Sequence, residues 1–217
     1  MPSHQLERPT SSSRSRLLHA AKRLFAAQGY EQTATSAIAR EAGTSESQLM
    51  RYFGGKVGLL EALFDDAWVT LNAKVERALK EARNNRDSLL IAIQTVAATL
   101  ARDTDLATLL MFEGRRKRGE QPRVRVSRGS VTFSETIRGF VRKAQATREI
   151  DPRLDPNAVT SGLLGAAESM MRDRLLAKSG AGRSFAEREI RRTLDAMLDG
   201  LRARPATTRD GVRARRR

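Results

Sequence analysis

Between Thr44 and Lys56 the chain reads TSESQLMRYFGGK. Hydroxyl, carboxylate, carboxamide, guanidinium, phenol and ammonium groups all fall within this one short stretch. The set is rich in hydrogen-bond donors and acceptors. It holds no histidine and no cysteine. It suits recognition of a polar surface instead. Gln matches the N6 and N7 edge of adenine, Arg the O6 and N7 edge of guanine or a phosphate, and Glu the N4 amino group of cytosine. A lysine at a helix N-terminus suits phosphate.

Catalytic chemistry has little to work with elsewhere. There are two histidines, His4 and His19, and no cysteine. No zinc-protease, phosphate-loop or nucleophile-elbow motif occurs. Disulfides, thiolate catalysis and cysteine zinc sites are excluded. The sequence therefore points away from an enzyme, and no metal or cofactor is expected.

Local signals around the recognition residues place them on helices. Leu17, Leu18, Ala21, Leu24 and Phe25 repeat at helical spacing from Arg14 onward, and Gly29 sits where a C-terminal cap belongs. A second short helix is expected over roughly 34–41, burying Ile38 with Ala42 beside it, and Gly43 ends it. A third starts at Ser45. Its Leu49 and Phe53 lie four apart, so one face is buried and the other is free. Two short helices joined by a tight glycine turn make a helix-turn-helix. The outer face of its second helix fits the major groove, with the first residues nearest the base edges.

Those residues are Thr44, Ser45, Glu46, Ser47 and Gln48, followed by Met50, Arg51 and Tyr52. Lys56, opening the next helix, is expected to clamp the phosphate backbone. Two residues carry a second reading. Ser45 and Gln48 have capping-box spacing, in which Gln caps rather than reads. Glu46 favours the helix dipole but is repelled by phosphate, so it either points aside or accepts from a cytosine amino group.

Composition agrees with this. The 217 residues are 40% hydrophobic but only 5% aromatic, and Arg, Ala and Leu are the commonest residues. That balance favours helix over strand, so the fold class expected is all-α. The formal net charge is +15, which favours an anionic partner. No apolar run approaches a membrane span and the N-terminus has no signal-peptide core. No membrane partner is expected, and the cytoplasm is the default location.

Further helices are expected over roughly 56–82, 86–101, 104–117, 122–147, 155–178 and 185–203. Residues 1–12 read as a disordered arm, 13–58 as the helix-turn-helix domain, 59–203 as a larger helical domain and 204–217 as a basic tail.

Phe25, Gly29-Tyr30, Thr33, Ile38-Ala39, Ala42-Gly43, Ser45, Leu49, Tyr52-Phe53, Lys56 and Leu59-Leu60 together resemble the N-terminal signature of the TetR (tetracycline-repressor-like) transcriptional regulators. The likeness covers roughly residues 14–64. It implies an all-α homodimer, with a three-helix DNA-binding domain followed by a larger domain for effector binding and dimerisation. It also implies DNA contact by Thr33, the recognition helix, Tyr52 and Lys56. Four positions depart from the family pattern: Thr44, Ser47, Gln48 and Met50. Met50 offers only apolar contact, for instance to a thymine methyl.

Two groups of residues complete the expectation. Gly162, Gly165 and Ala166 permit close helix approach, and Ile190, Leu194, Met197, Leu198 and Leu201 form one apolar stripe. Together they fit a four-helix dimer seam or, equally ordinary, core within one chain. Dimerisation pairs two recognition helices on a palindromic double-stranded operator. Leu110, Met111, Phe112, Phe133, Phe140 and Met170, with Glu113 and Glu168, suit an apolar effector pocket with a few polar groups, or plain core. The function expected is sequence-specific transcriptional regulation, as a repressor released by a small molecule. The alternative is a non-specific architectural nucleic-acid binder using the RRKR segment at 115–118 and the RARRR end.

Overall fold

The computed structural model describes residues 12–113, 127–177, 180 and 183–203. Among them are nine α-helices and no strand: α1 (Ser13–Gln28), α2 (Thr35–Glu41), α3 (Glu46–Phe53), α4 (Lys56–Ala78), α5 (Asn85–Arg102), α6 (Thr104–Glu113), α7 (Arg128–Ala146), α8 (Pro156–Ala177) and α9 (Glu187–Gly200). The expected arm at 1–12 apart from Ser12, the basic residues 114–126 and the tail 204–217 lie outside the described residues.

Contacts divide the chain into two compact units. The first takes Met1–Thr70 with Leu100–Val131, and the second Leu71–Thr99 with Thr132–Arg217. In the first unit α1 packs on α2, α3 and α6. Leu17, Ala21 and Phe25 of α1, Ile38 of α2, Leu49 of α3 and Leu59 of α4 are fully buried or nearly so. Lys22 of α1 pairs with Asp103 at 2.6 Å, and Asp103 also caps α6 by accepting from the Leu106 N–H at 3.1 Å. Gly129 lies so close to Trp68 that a Cβ there would collide with it, which makes Trp68 a packing residue.

In the second unit the buried side chains include Leu89, Ile93 and Val96 of α5, Ile137 and Val141 of α7, and Leu163 and Ala167 of α8. Arg86 ties α5 to α9 through Asp195 at 2.7 Å and Asp199 at 2.8 Å. Glu149 accepts from the Arg86 N–H at 3.3 Å, placing a carboxylate at the α5 N-terminus.

Several expectations are corrected here. The apolar stripe of α9 is not a free seam. Ile190, Leu194 and Leu198 are 1%, 0% and 2% exposed within their own chain. Burying them needs no second copy, because α8 packs on α9. Met197, Leu201 and Ala166 are half-buried, whereas Gly162 and Gly165 are exposed with open space beside them. The fourth helix ends at Ala78, where a 3₁₀ turn, Leu79–Glu81, tightens the chain before Asn84 caps α5 through the Asp87 N–H at 2.8 Å. Helix α7 begins at Arg128, with Ser127 accepting from the Ser130 N–H, rather than at Pro122.

Two predictions follow from the packing. A Cβ at Gly58 would run into the backbone carbonyl of Phe53. Gly58→Ala is expected to cost ~1–3 kcal/mol, measured as a thermal midpoint several degrees lower. Asp103 is pushed up by burial but held below its ordinary 3.8 by the Lys22 hydrogen bond, the Leu106 amide and the nearby positive charge. Its folded pKa is thus below its unfolded one, so the stabilisation is present above that ordinary value and lost as pH falls beneath it. Acid titration of Asp103→Asn is expected to show lower stability at neutral pH and a shallower loss on acidification.

Candidate nucleic-acid interface

The interface is built on α3, whose eight residues are held at both ends. Ser45 Oγ accepts from the Gln48 N–H at 3.2 Å. Gly54 adopts φ +69°, a left-handed conformation natural to glycine, and its N–H bonds Met50 O at 2.8 Å. Gly43, at φ +60°, makes the turn between α2 and α3. Leu49 is fully buried and Phe53 nearly so, anchoring the inner face. The outer face carries Ser45, Glu46, Ser47, Met50, Arg51 and Tyr52, all exposed, with Thr44 half-buried beside them.

Met50 and Tyr52 are 55% and 41% exposed, large for side chains that are partly apolar. The Arg51 guanidinium stacks over the Tyr52 ring, 5.1 Å from its centroid, and donates to Tyr52 Oη at 3.4 Å. This stiffens a long cation without burying it. The capping-box alternative for Gln48 is only half realised. Its backbone N–H is capped by Ser45, but its side-chain Oε1 is buried with no partner.

Two expected contacts are corrected. Thr33 is 1% exposed, and its hydroxyl donates to Gly29 O at 2.7 Å inside the α1–α2 turn. It cannot meet DNA. Lys56 is half-buried, and its ammonium donates to the carbonyls of Tyr30 at 3.0 Å, Thr33 at 3.2 Å and Glu31 at 3.3 Å. It also lies 4.5 Å from the Tyr30 ring centroid. All three N–H groups are spent on the turn that leads into α2. Lys56 is therefore an internal strut rather than a phosphate clamp. The physical reason is that a turn leaves backbone carbonyls in need of donors.

Sequence reasoning missed Thr35 and Ser36, at the start of α2. Ser36 is exposed. Thr35 Oγ1 donates to Glu46 Oε2 at 2.7 Å, joining the first turns of α2 and α3. Thr33 turns its hydroxyl into the α1–α2 turn, whereas the half-buried Thr35 turns its own toward α3.

The expected effector residues are divided between the two units. Leu110 and Met111 are buried in the first unit, and Phe133 is buried in the second. Phe140, Glu168 and Met170 are half-buried, and the side chains of Phe112 and Glu113 lie outside the described residues. None of the eight lines the described cavities. One cavity, of about 440 Å³, lies in the second unit between Arg86, Leu89, Ala144, Thr147, Glu149, Ile150 and Leu198.

Residues 17–63, which span α1 to the middle of α4, match the family model described as bacterial regulatory proteins, tetR family. The matched stretch, residues 17–63, is the N-terminal domain that this family model describes. Relatives are distant. The fatty acid metabolism regulator protein of Bacillus subtilis is 25% identical over 149 residues, 69% of this chain and 76% of that protein. The nucleoid occlusion factor SlmA of Vibrio cholerae is 23% identical over 151 residues, 70% and 77% of the two chains. The fold is shared with a crystal structure of FadR from Bacillus subtilis in complex with stearoyl-CoA, at a TM-score of 0.73 and 20% identity, covering 87% of this chain and 97% of that one. A regulator from Saccharomonospora viridis in complex with choline has a TM-score of 0.70 at 19% identity, over 90% and 100%.

Within the matched stretch α3 is the second helix of the helix-turn-helix. Among the described residues no helix is long and apolar enough to cross a membrane. The Lys56 strut yields a prediction. Lys56→Met is expected to lower the thermal midpoint and weaken DNA binding. The slope of log affinity against log salt should stay unchanged. A slope reduced by about 1 would instead show a lost phosphate contact.

Proposed function

We propose that this chain is a dimeric repressor that reads a palindromic operator through α3 and is released from it by a small organic molecule. The observation that carries the reading is the two-sided character of α3. Leu49 and Phe53 are buried, while Glu46, Ser47, Met50, Arg51 and Tyr52 stand out from the domain. A helix held this way presents its first turn to base edges in the major groove. One such helix reads only a few base pairs, so a second copy related by two-fold symmetry completes the site. Gly162 and Gly165, exposed on α8 with open space around them, allow the close helix approach that pairing needs. The core residues of α9 play no part in it.

Release follows from linkage. A ligand with higher affinity for a conformation whose recognition helices are wrongly spaced shifts the dimer off the operator. Two proteins of this fold hold stearoyl-CoA and choline, which supports an organic effector. The second-unit cavity of about 440 Å³ has an apolar floor of Leu89, Ile150 and Leu198 and a polar rim of Arg86 and Glu149. That is the kind of lining small-molecule sites use, and it is assigned here as the effector site.

Selection from a random duplex library at near-physiological salt, with sedimentation of the protein–DNA complex, tests the reading. Expected are a palindrome with half-sites about one helical turn apart or slightly more and two chains per operator. A lone half-site bound by one chain would contradict the dimer. Recovery of no motif would contradict sequence reading and favour a non-specific binder drawn by the net charge of +15.

A further inference from the structure

Glu46 is a carboxylate at a surface built to meet phosphates. It is the first residue of α3, it is exposed, and its Oε2 accepts from the Thr35 hydroxyl at 2.7 Å. Thr35 is itself the first residue of α2. The bond therefore fixes the carboxylate between two helix N-termini, where the dipoles favour its charge. It engages Oε2 and leaves the Oε1 lone pairs open to a further donor.

What could such a group recognise? Phosphate oxygens repel it. In the major groove the donors are the amino groups of cytosine N4 and adenine N6. Adenine presents its N6 beside the N7 acceptor, which a carboxylate cannot satisfy. Cytosine N4 is the donor an acceptor-only group suits best. Guanine O6 and thymine O4 would set acceptor against acceptor, a built-in penalty for the wrong base.

We propose that Glu46, oriented by Thr35, is a specificity-determining residue that accepts a hydrogen bond from cytosine N4, fixing one C·G pair in each half-site. The inference rests on reading α3 as the recognition helix. Thr35 is a positioning residue: without its hydroxyl the carboxylate swings over several rotamers and discrimination at that one position falls.

The test is parallel selection from a random duplex library with the full-length parent, Glu46→Gln and Thr35→Val, alongside thermal melts of each. The parent should show cytosine at one position of each half-site. Glu46→Gln should move the preference at that position alone, toward the adenine that a carboxamide matches, and bind the parent operator roughly tenfold or more weakly. Thr35→Val should blur the same position while keeping the others and the helical content. A motif that Glu46→Gln leaves unchanged at every position overturns this inference alone, and shows the Thr35 bond to be only an interhelix tether. A change at a position where the parent reads any pair other than C·G overturns the cytosine assignment. A parent selection without a motif overturns the recognition-helix reading and this inference with it.

Discussion

An eight-residue helix has no stability of its own in water, because nucleation costs more than two turns of hydrogen bonding return. Helix α3 exists because Leu49 and Phe53 are buried against the rest of its unit, and because Ser45 and Gly54 satisfy its ends. Everything the interface does depends on that constraint. The same burial that stabilises the helix decides which face is left for DNA. The struts around it serve the same end: Lys56 holds the carbonyls of the α1–α2 turn, Arg16 donates to Ala42 O at 2.9 Å beyond the end of α2, and Thr35 meets Glu46. Each fixes the approach to α3 with a hydrogen bond to backbone or to a neighbouring helix.

Much of this was legible in the sequence, because apolar spacing and glycine placement are local signals. Leu17, Phe25, Ile38, Leu49 and Phe53 are buried as their spacing predicts, and Gly43 and Gly54 adopt the positive φ that turns and caps require. What a side chain's charge will meet is not local. A lysine at a helix start fits phosphate and backbone carbonyls equally well, and only the fold shows that Tyr30, Glu31 and Thr33 turn their carbonyls toward Lys56. Thr33 fails as a contact for a related reason. A hydroxyl looks equally ready to face in or out until the turn places it against Gly29 O.

The stripe on α9 fails differently. Amphipathic spacing says that a face is buried, not what buries it. Ile190, Leu194 and Leu198 satisfy the same period in a dimer seam and in a single-chain core, and here they sit in the core, closed by the Arg86 clamp to Asp195 and Asp199. Cavity residues are less legible still, since a cavity is defined by what several elements leave empty. The residues around the second-unit cavity come from α5, the end of α7 and its following turn, and α9, and no motif links them.

The central claim is that α3 reads sequence rather than merely adding positive charge to a basic protein. Competition between a selected operator and a scrambled duplex of the same length and composition, followed across salt, tests it most directly. The account predicts an operator preference of about 10³-fold or more near physiological salt, a ratio that persists while both affinities fall as salt rises. Equal affinity for the two duplexes at every salt concentration would contradict it.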